Sequence, residues 1–164
     1  LGVAMAGKQY QVGATLTNLG EPDFRFPETN IEGIENPELI AAIRSREVYT
    51  MESQLKLEGA MITSDGAWGL NFGLDLNSIP DPMRDDYQWL SIGGGYASDS
   101  WWLPGARLGL RHNLAGAGFT YVTGGVTLFN VLNIDLATTL ETITINDQTV
   151  PQGLIANVGF QVLF

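Results

Sequence analysis

Cysteine is absent from all 164 residues, which removes disulfides, thiolate metal sites and cysteine nucleophiles together. Histidine occurs once, at His112, so a histidine-based metal site is excluded, and no Ser/His/Asp spacing points to a catalytic triad. Basic residues are few: 8 Lys and Arg stand against 18 Asp and Glu, for a formal net charge of −10. Lys8, Arg25, Arg44, Arg46, Lys56, Arg84, Arg107 and Arg111 are scattered, and without a basic patch the chain is not expected to bind nucleic acid. Long apolar runs are missing as well. The mean hydropathy is only +0.06, and no stretch of about 18 apolar residues offers a transmembrane helix. Leu1-Gly2-Val3-Ala4-Met5-Ala6 lacks the basic start and apolar run of a secretory leader, which is expected of a processed chain or of a piece of a longer one. No catalytic residue, metal site or cofactor is expected.

What is present is glycine, 20 residues of it, and a repeated alternation of apolar and polar side chains. Glycine weakens helices by about 1 kcal/mol per interior position but suits closely packed strands. Leu154, Ala156, Val158, Phe160, Val162 and Phe164 form one wholly apolar face of a segment whose other face is mixed. Leu70, Phe72, Leu74 and Leu76 alternate with Asn71, Gly73, Asp75 and Asn77, and Tyr10, Val12, Ala14 and Leu16 alternate with Gln11, Gly13, Thr15 and Thr17. Period two is the signature of strands with two unlike faces. Strands are predicted near residues 1–6, 9–17, 50–61, 68–77, 87–97, 105–113, 119–128, 131–141 and 153–164. Several reach the roughly 9–11 residues that a tilted strand needs to cross a bilayer. The expected fold is all-β: one domain over 1–164, an antiparallel transmembrane β-barrel represented by about nine strands.

Residues 18–48 interrupt the rhythm with seven acidic residues, three prolines and a helix signal. Asn36 is a fitting N-cap, Pro37 a first helical residue, and Glu38 an acidic first-turn residue, while Leu39, Ile40 and Ile43 give one apolar face. This segment is predicted as a long extracellular loop carrying a short helix, either a solvated loop or a lid over the lumen. Six of the eight connections alternate in length, those near 98–104 and 114–118 being the exceptions. Those near 18–49, 78–86 and 142–152 are long, and those near 7–8, 62–67 and 129–130 are tight. Barrels of the outer membrane have short periplasmic turns and longer outer loops, an even strand number and both termini inside. Nine strands break that rule, so an N-terminal portion is expected to be absent from this chain.

The end of the chain, Asn157-Val158-Gly159-Phe160-Gln161-Val162-Leu163-Phe164, resembles the insertion signal of outer-membrane barrels, with Asn157, Gly159, Val162 and Phe164 at the signal positions. That resemblance implies recognition by the barrel assembly machinery through strand addition at an exposed edge. Tyr10-Gln11-Val12-Gly13-Ala14-Thr15-Leu16-Thr17-Asn18-Leu19-Gly20 and Arg107-Leu108-Gly109-Leu110-Arg111-His112-Asn113-Leu114, followed by Ile134-Asp135-Leu136-Ala137, are similar to the TraF-like outer-membrane family. This family is named after plasmid conjugal transfer and related in fold to FadL-type channels. The resemblance implies a barrel longer than 164 residues; the name alone does not imply a role in conjugation.

On the polar parity of the strands, Glu52, Lys56, Glu58, Asp75, Arg107, Arg111, Asp135 and Glu141 are the candidate lumen-lining residues. Opposite charges there serve either a structural network or a solute path. Trp68, Trp89, Trp101, Trp102, Tyr10, Tyr49 and Tyr96 fall near strand ends, where interfacial girdles belong. Asp81-Pro82-Met83-Arg84-Asp85-Asp86 lacks the glycine and terminal glutamate of a calcium loop and is expected to be a solvated outer loop. The expected role is a passive channel or transporter for small or hydrophobic solutes in the cell outer membrane of a Gram-negative bacterium, contacting lipid. The alternatives are a structural component of the membrane or of a secretion or conjugation apparatus, and a soluble lipocalin-type binder. The last requires an apolar interior.

Overall fold

Alternating segments joined by tight turns fold as a meander, because each strand finds its neighbour in sequence as its neighbour in space. The computed structural model describes residues 1–45, 47–81, 85–98 and 100–160. Nine strands form one antiparallel sheet in simple sequence order. They are β1 (Gly2–Ala6), β2 (Tyr10–Thr17), β3 (Gln54–Ile62), β4 (Trp68–Asp75) and β5 (Trp89–Tyr96). The series continues with β6 (Gly105–Asn113), β7 (Thr120–Leu128), β8 (Leu132–Thr139) and β9 (Leu154–Phe160). Each falls inside one of the nine segments read from alternation, save that β3 runs one residue past its segment to Ile62.

The strands are five to nine residues long, shorter than several of the predicted spans. The reason lies at their ends. Val48–Thr50 leaves the sheet to pair with Asp23–Arg25. Beyond β8, the Thr139 hydroxyl accepts from the Gly153 N–H at 2.9 Å, and the chain opens into a separate ribbon of Thr142–Ile145 with Gln148–Pro151. A third small ribbon joins Ile79–Pro80 to Asp86–Tyr87.

The one helix among the described residues, α1 (Pro37–Arg44), begins where its cap signals place it. The Asn36 side-chain oxygen accepts from the N–H groups of Glu38 at 2.9 Å and Leu39 at 3.4 Å, satisfying two of the orphan donors of the first turn. No side chain of α1 is fully buried, and Leu39 is exposed. Among the described residues no helix is long and apolar enough to cross a membrane, which says nothing about crossing by strands.

The three ribbons and α1 all lie in the connections β2–β3, β4–β5 and β8–β9, at one end of the sheet. The other end carries tight turns in three of its four connections, residues 97–104 being the longer one. Phe129 and Asn130 both have positive φ (54° and 55°), with the Val131 N–H donating to the Leu128 carbonyl at 3.1 Å. That is the type I′ geometry favoured by twisted hairpins. The alternation of long and short connections thus holds except at β5–β6 and β6–β7, where residues 97–104 make a longer link than residues 114–119.

The sheet is not closed into a barrel. β1 and β9 stand at opposite edges and are not paired with each other. Eight antiparallel steps leave β1 and β9 running in the same direction, so the antiparallel ladder of the sheet cannot join them directly. The sheet is nonetheless sheared as a barrel wall is. The hydrogen-bonded row through Ala4 in mid-β1 passes Gly13, Glu58, Gly73, Ser91, Arg111 and Tyr121, and meets Thr139 at the very end of β8. A steady stagger of this kind is what barrel geometry requires.

Candidate functional site

The registers sort the sheet into two unlike faces. One row of aligned residues reads Met5, Val12, Gly59, Phe72, Ile92, Leu110, Val122, Thr138 and Leu154. Its neighbours on the same face hold Val3, Leu57, Leu74 and Leu90 on one side and Leu70, Leu108, Leu136 and Ala156 on the other. This face is apolar across all nine strands and is uncovered. Val3 is 72 %, Leu108 73 % and Phe160 76 % exposed. Its polar groups at the long-loop end are partnered: His112 Nδ1 lies 2.9 Å from the Thr120 hydroxyl, and the Thr138 hydroxyl donates to the Thr139 and Gly153 carbonyls at 3.3 Å.

Burial is inverted relative to a water-soluble domain. The one buried hydrophobic residue among those described is Ile79, whereas Gln54, Asp75, Asn113 and Thr139 are all buried. Soluble proteins bury apolar side chains and keep unpaired polar ones outside. Here the polar groups are satisfied by one another. Asn113 accepts from the Gln88 N–H at 2.7 Å and donates to the Asp86 carbonyl at 3.0 Å. Asp75 accepts from the Trp89 N–H at 3.0 Å, and the Gln88 side chain donates to the Asp75 carbonyl at 2.9 Å. These contacts knit the strand ends to the long connections. Tyr49 donates to the Pro80 carbonyl at 2.9 Å, and Asp85 accepts from the Ala117 N–H at 3.1 Å, drawing the loops into one layer.

Of the eight charged residues expected to face the polar side, six lie on sheet strands at that parity: Lys56, Glu58, Asp75, Arg107, Arg111 and Asp135. Arg107 Nε donates to Asp135 Oδ1 at 2.6 Å and Nη1 to the Thr127 hydroxyl at 2.8 Å, which in turn donates to Asn133 at 2.7 Å. Between them on β7 sits Gly125. A Cβ there would lie 2.2 Å from Asp135 Oδ1 and 2.7 Å from Arg107 Nε, so the ion pair occupies the space that glycine leaves. Lys56 and Asp75 face each other at 3.7 Å. Arg111 has no carboxylate partner among the described residues; its guanidinium lies 4.0 Å above the Trp89 ring. The ring is itself braced by Tyr121 at 5.9 Å.

Glu52 and Glu141 lie off the strands. Glu52 precedes β3 and is exposed, its carbonyl accepting from Asn18 at 3.0 Å. Glu141 follows β8 and caps β7, its carboxylate accepting from the Thr120 N–H at 2.9 and 3.0 Å. That bond, opposed by desolvation, holds the Glu141 carboxyl below the usual glutamate value. Of the insertion-signal residues, Asn157 and Gly159 lie on β9 opposite Asp135 and Asn133, while Val162 and Phe164 lie outside the described residues. Within the acidic loop, Pro82, Met83 and Arg84 are likewise outside them, and no cluster of three metal-ligating side chains occurs among the described residues.

Aromatic residues gather at the tight-turn end. Trp68 and Tyr96 stack at 5.0 Å on the apolar face, and Trp101 contacts both Trp102 at 4.3 Å and Phe129 at 5.5 Å. Trp89 departs from the girdle expectation, because the register puts it on the polar face. Leu90 and Ile92 on the apolar parity could have shown this, but the run Gly93-Gly94-Gly95 blurs the alternation around them.

Residues 1–75 match the family model described as F plasmid transfer operon, TraF, protein. The chain is TraF-like over that stretch, which takes in β1 to β4 and the long connection with its helix. No curated protein and no solved structure matches the chain.

Proposed function

We propose that this chain is part of the wall of a β-barrel in a Gram-negative outer membrane, related to FadL-type channels, with its apolar face in lipid and its polar face lining the lumen. The observation that carries this reading is the separation of the two faces over nine strands, one with its apolar side chains uncovered, the other with two ion pairs and with buried, hydrogen-bonded polar groups at the strand ends. In water such a face would be a very large unprotected apolar patch. In lipid it is the outward band of a barrel, bordered at the tight-turn end by Trp68 and Tyr96. An odd number of further antiparallel strands closes the gap between β1 and β9. The barrel passes small or hydrophobic solutes passively. The polar face bears ion pairs and small residues rather than a nucleophile or metal cluster, and no catalysis is assigned to it.

A second reading, a structural component of an envelope assembly serving plasmid transfer, is favoured by the match of residues 1–75 to the TraF family model. The two separate on conductance. The full chain inserted into planar bilayers gives stepwise currents if it forms a channel. A membrane-inserted chain without conductance or solute uptake supports the structural role, and recovery of the protein in the aqueous phase without detergent rejects both.

A further inference from the structure

Most charges of the polar face neutralise a neighbour, and two do not. Glu58 on β3 and Arg111 on β6 share one hydrogen-bonded row, separated only by Gly73 and Ser91. No ion pair reaches either residue among the described residues, Lys56 and Asp75 being engaged with each other at 3.7 Å. Three strand spacings of about 4.8 Å put the two Cα atoms on the order of 14 Å apart. The Arg111 side chain reaches toward β5, where its guanidinium lies 4.0 Å over the Trp89 ring. The floor is kept low by composition: a Cβ at Gly73 would lie 2.7 Å from the Ser91 hydroxyl, which itself donates to the Gly73 carbonyl at 3.3 Å. A cavity of about 290 Å³ occupies the space, lined by Glu58, Gly73, Asp75, Trp89, Ser91 and Arg111.

We infer that this niche binds a small zwitterionic solute of the amino-acid class, its carboxylate against the Arg111 guanidinium and its ammonium against Glu58. Contact with Trp89 covers one side of the guanidinium, and its N–H donors have no carboxylate partner among the described residues, so they suit a carboxylate. Glu58, an acceptor only, suits an ammonium. The Lys56–Asp75 pair forms one wall and adds no net charge, so a dipolar solute is favoured over a simple anion or cation. The inference deepens the lumen reading by naming a solute class, but the niche is built by four adjacent strands and can be tested apart from insertion.

The test is titration of the full chain in detergent micelles with glycine and γ-aminobutyrate, alongside acetate and ethylammonium, followed by saturation-transfer NMR. Vesicle flotation of the same preparation tests the membrane reading separately. A zwitterion is expected to bind, and Glu58→Gln or Arg111→Gln is expected to weaken it about tenfold or more, the loss of one charge-assisted contact. The exchanged pair Glu58→Arg with Arg111→Glu is expected to recover binding, which distinguishes loss of the site from loss of the fold. Equal binding of acetate and the zwitterions, binding indifferent to both single variants, or no binding by a chain that floats with vesicles overturns the niche. A chain that binds zwitterions without floating overturns the membrane reading instead.

Discussion

Leu108→Arg separates a lipid-facing sheet from a soluble one more sharply than any other single change. Leu108 lies in mid-β6 with 73 % of its surface uncovered by protein. Covering a whole Leu side chain is worth about 1.5–3 kcal/mol, so lipid covering the uncovered three quarters contributes about 1–2 kcal/mol. An arginine at the midplane of a barrel wall costs a further ~2–4 kcal/mol. The substitution is therefore expected to destabilise the protein by about 3–6 kcal/mol in a bilayer. In water an exposed surface substitution stays within about 0.5 kcal/mol. Guanidinium unfolding in large vesicles, followed by tryptophan fluorescence, measures the difference. Leu154→Arg, at the long-loop end of β9, supplies the internal comparison with a charge cost of about 0–1 kcal/mol. If Leu108→Arg is neutral, or if the two variants cost the same, the lipid-facing assignment of this face is refuted.

Other outcomes follow from the polar side. Gly125→Ala is expected to cost about 1–3 kcal/mol by driving Arg107 and Asp135 apart, and the penalty should shrink when Asp135→Ala is added; simple additivity in unfolding measurements would contradict the packing argument. Asn113→Ala leaves the Gln88 N–H and the Asp86 carbonyl without the partners described, at about 1 kcal/mol for each part-buried hydrogen bond; faster hydrogen exchange at the Gln88 amide is the readout, and unchanged exchange would refute it. The depressed Glu141 carboxyl contributes stability above the ordinary glutamate range that is lost as pH falls through its lower folded value. Glu141→Gln should thus be less stable than the native chain near neutrality, with the gap closing on acidification; a gap that widens would show the opposite sign.

Period-two alternation made the nine strands legible because each must present unlike faces. Leu70-Asn71-Phe72-Gly73-Leu74 can satisfy that requirement in no other regular structure. The helix was legible for a local reason, Asn36-Pro37-Glu38 being a complete start signal. The ribbons were harder. Thr142-Ile143-Thr144-Ile145 before Asn146-Asp147 is a hairpin signature that a loop reading of 142–152 passes over. Asp23–Arg25 and Val48–Thr50, by contrast, are too short to show a period and lie 22 residues apart across the helix connection (Arg25 to Val48). Site parity placed Arg107 and Asp135 on one face but could not show that Gly125 lies between them, since that depends on the cross-strand register. Glu141 kept the right parity yet left the strand, because Thr139 ends β8 by bonding Gly153. That the nine strands do not close on themselves was legible from their odd number, whereas the edge positions of β1 and β9 are revealed only by the complete pairing order.

The central claim, that one face meets lipid and the other an aqueous lumen, is tested most directly by cysteine scanning of β6. The native chain has no cysteine, so each substitution from Ala106 to Arg111 introduces a single labelling site. With an environment-sensitive fluorophore in vesicles, labels at 106, 108 and 110 are expected to be quenched by brominated lipid, and labels at 107, 109 and 111 by a water-soluble quencher. Quenching from water at all six positions, with no alternation, would contradict the claim.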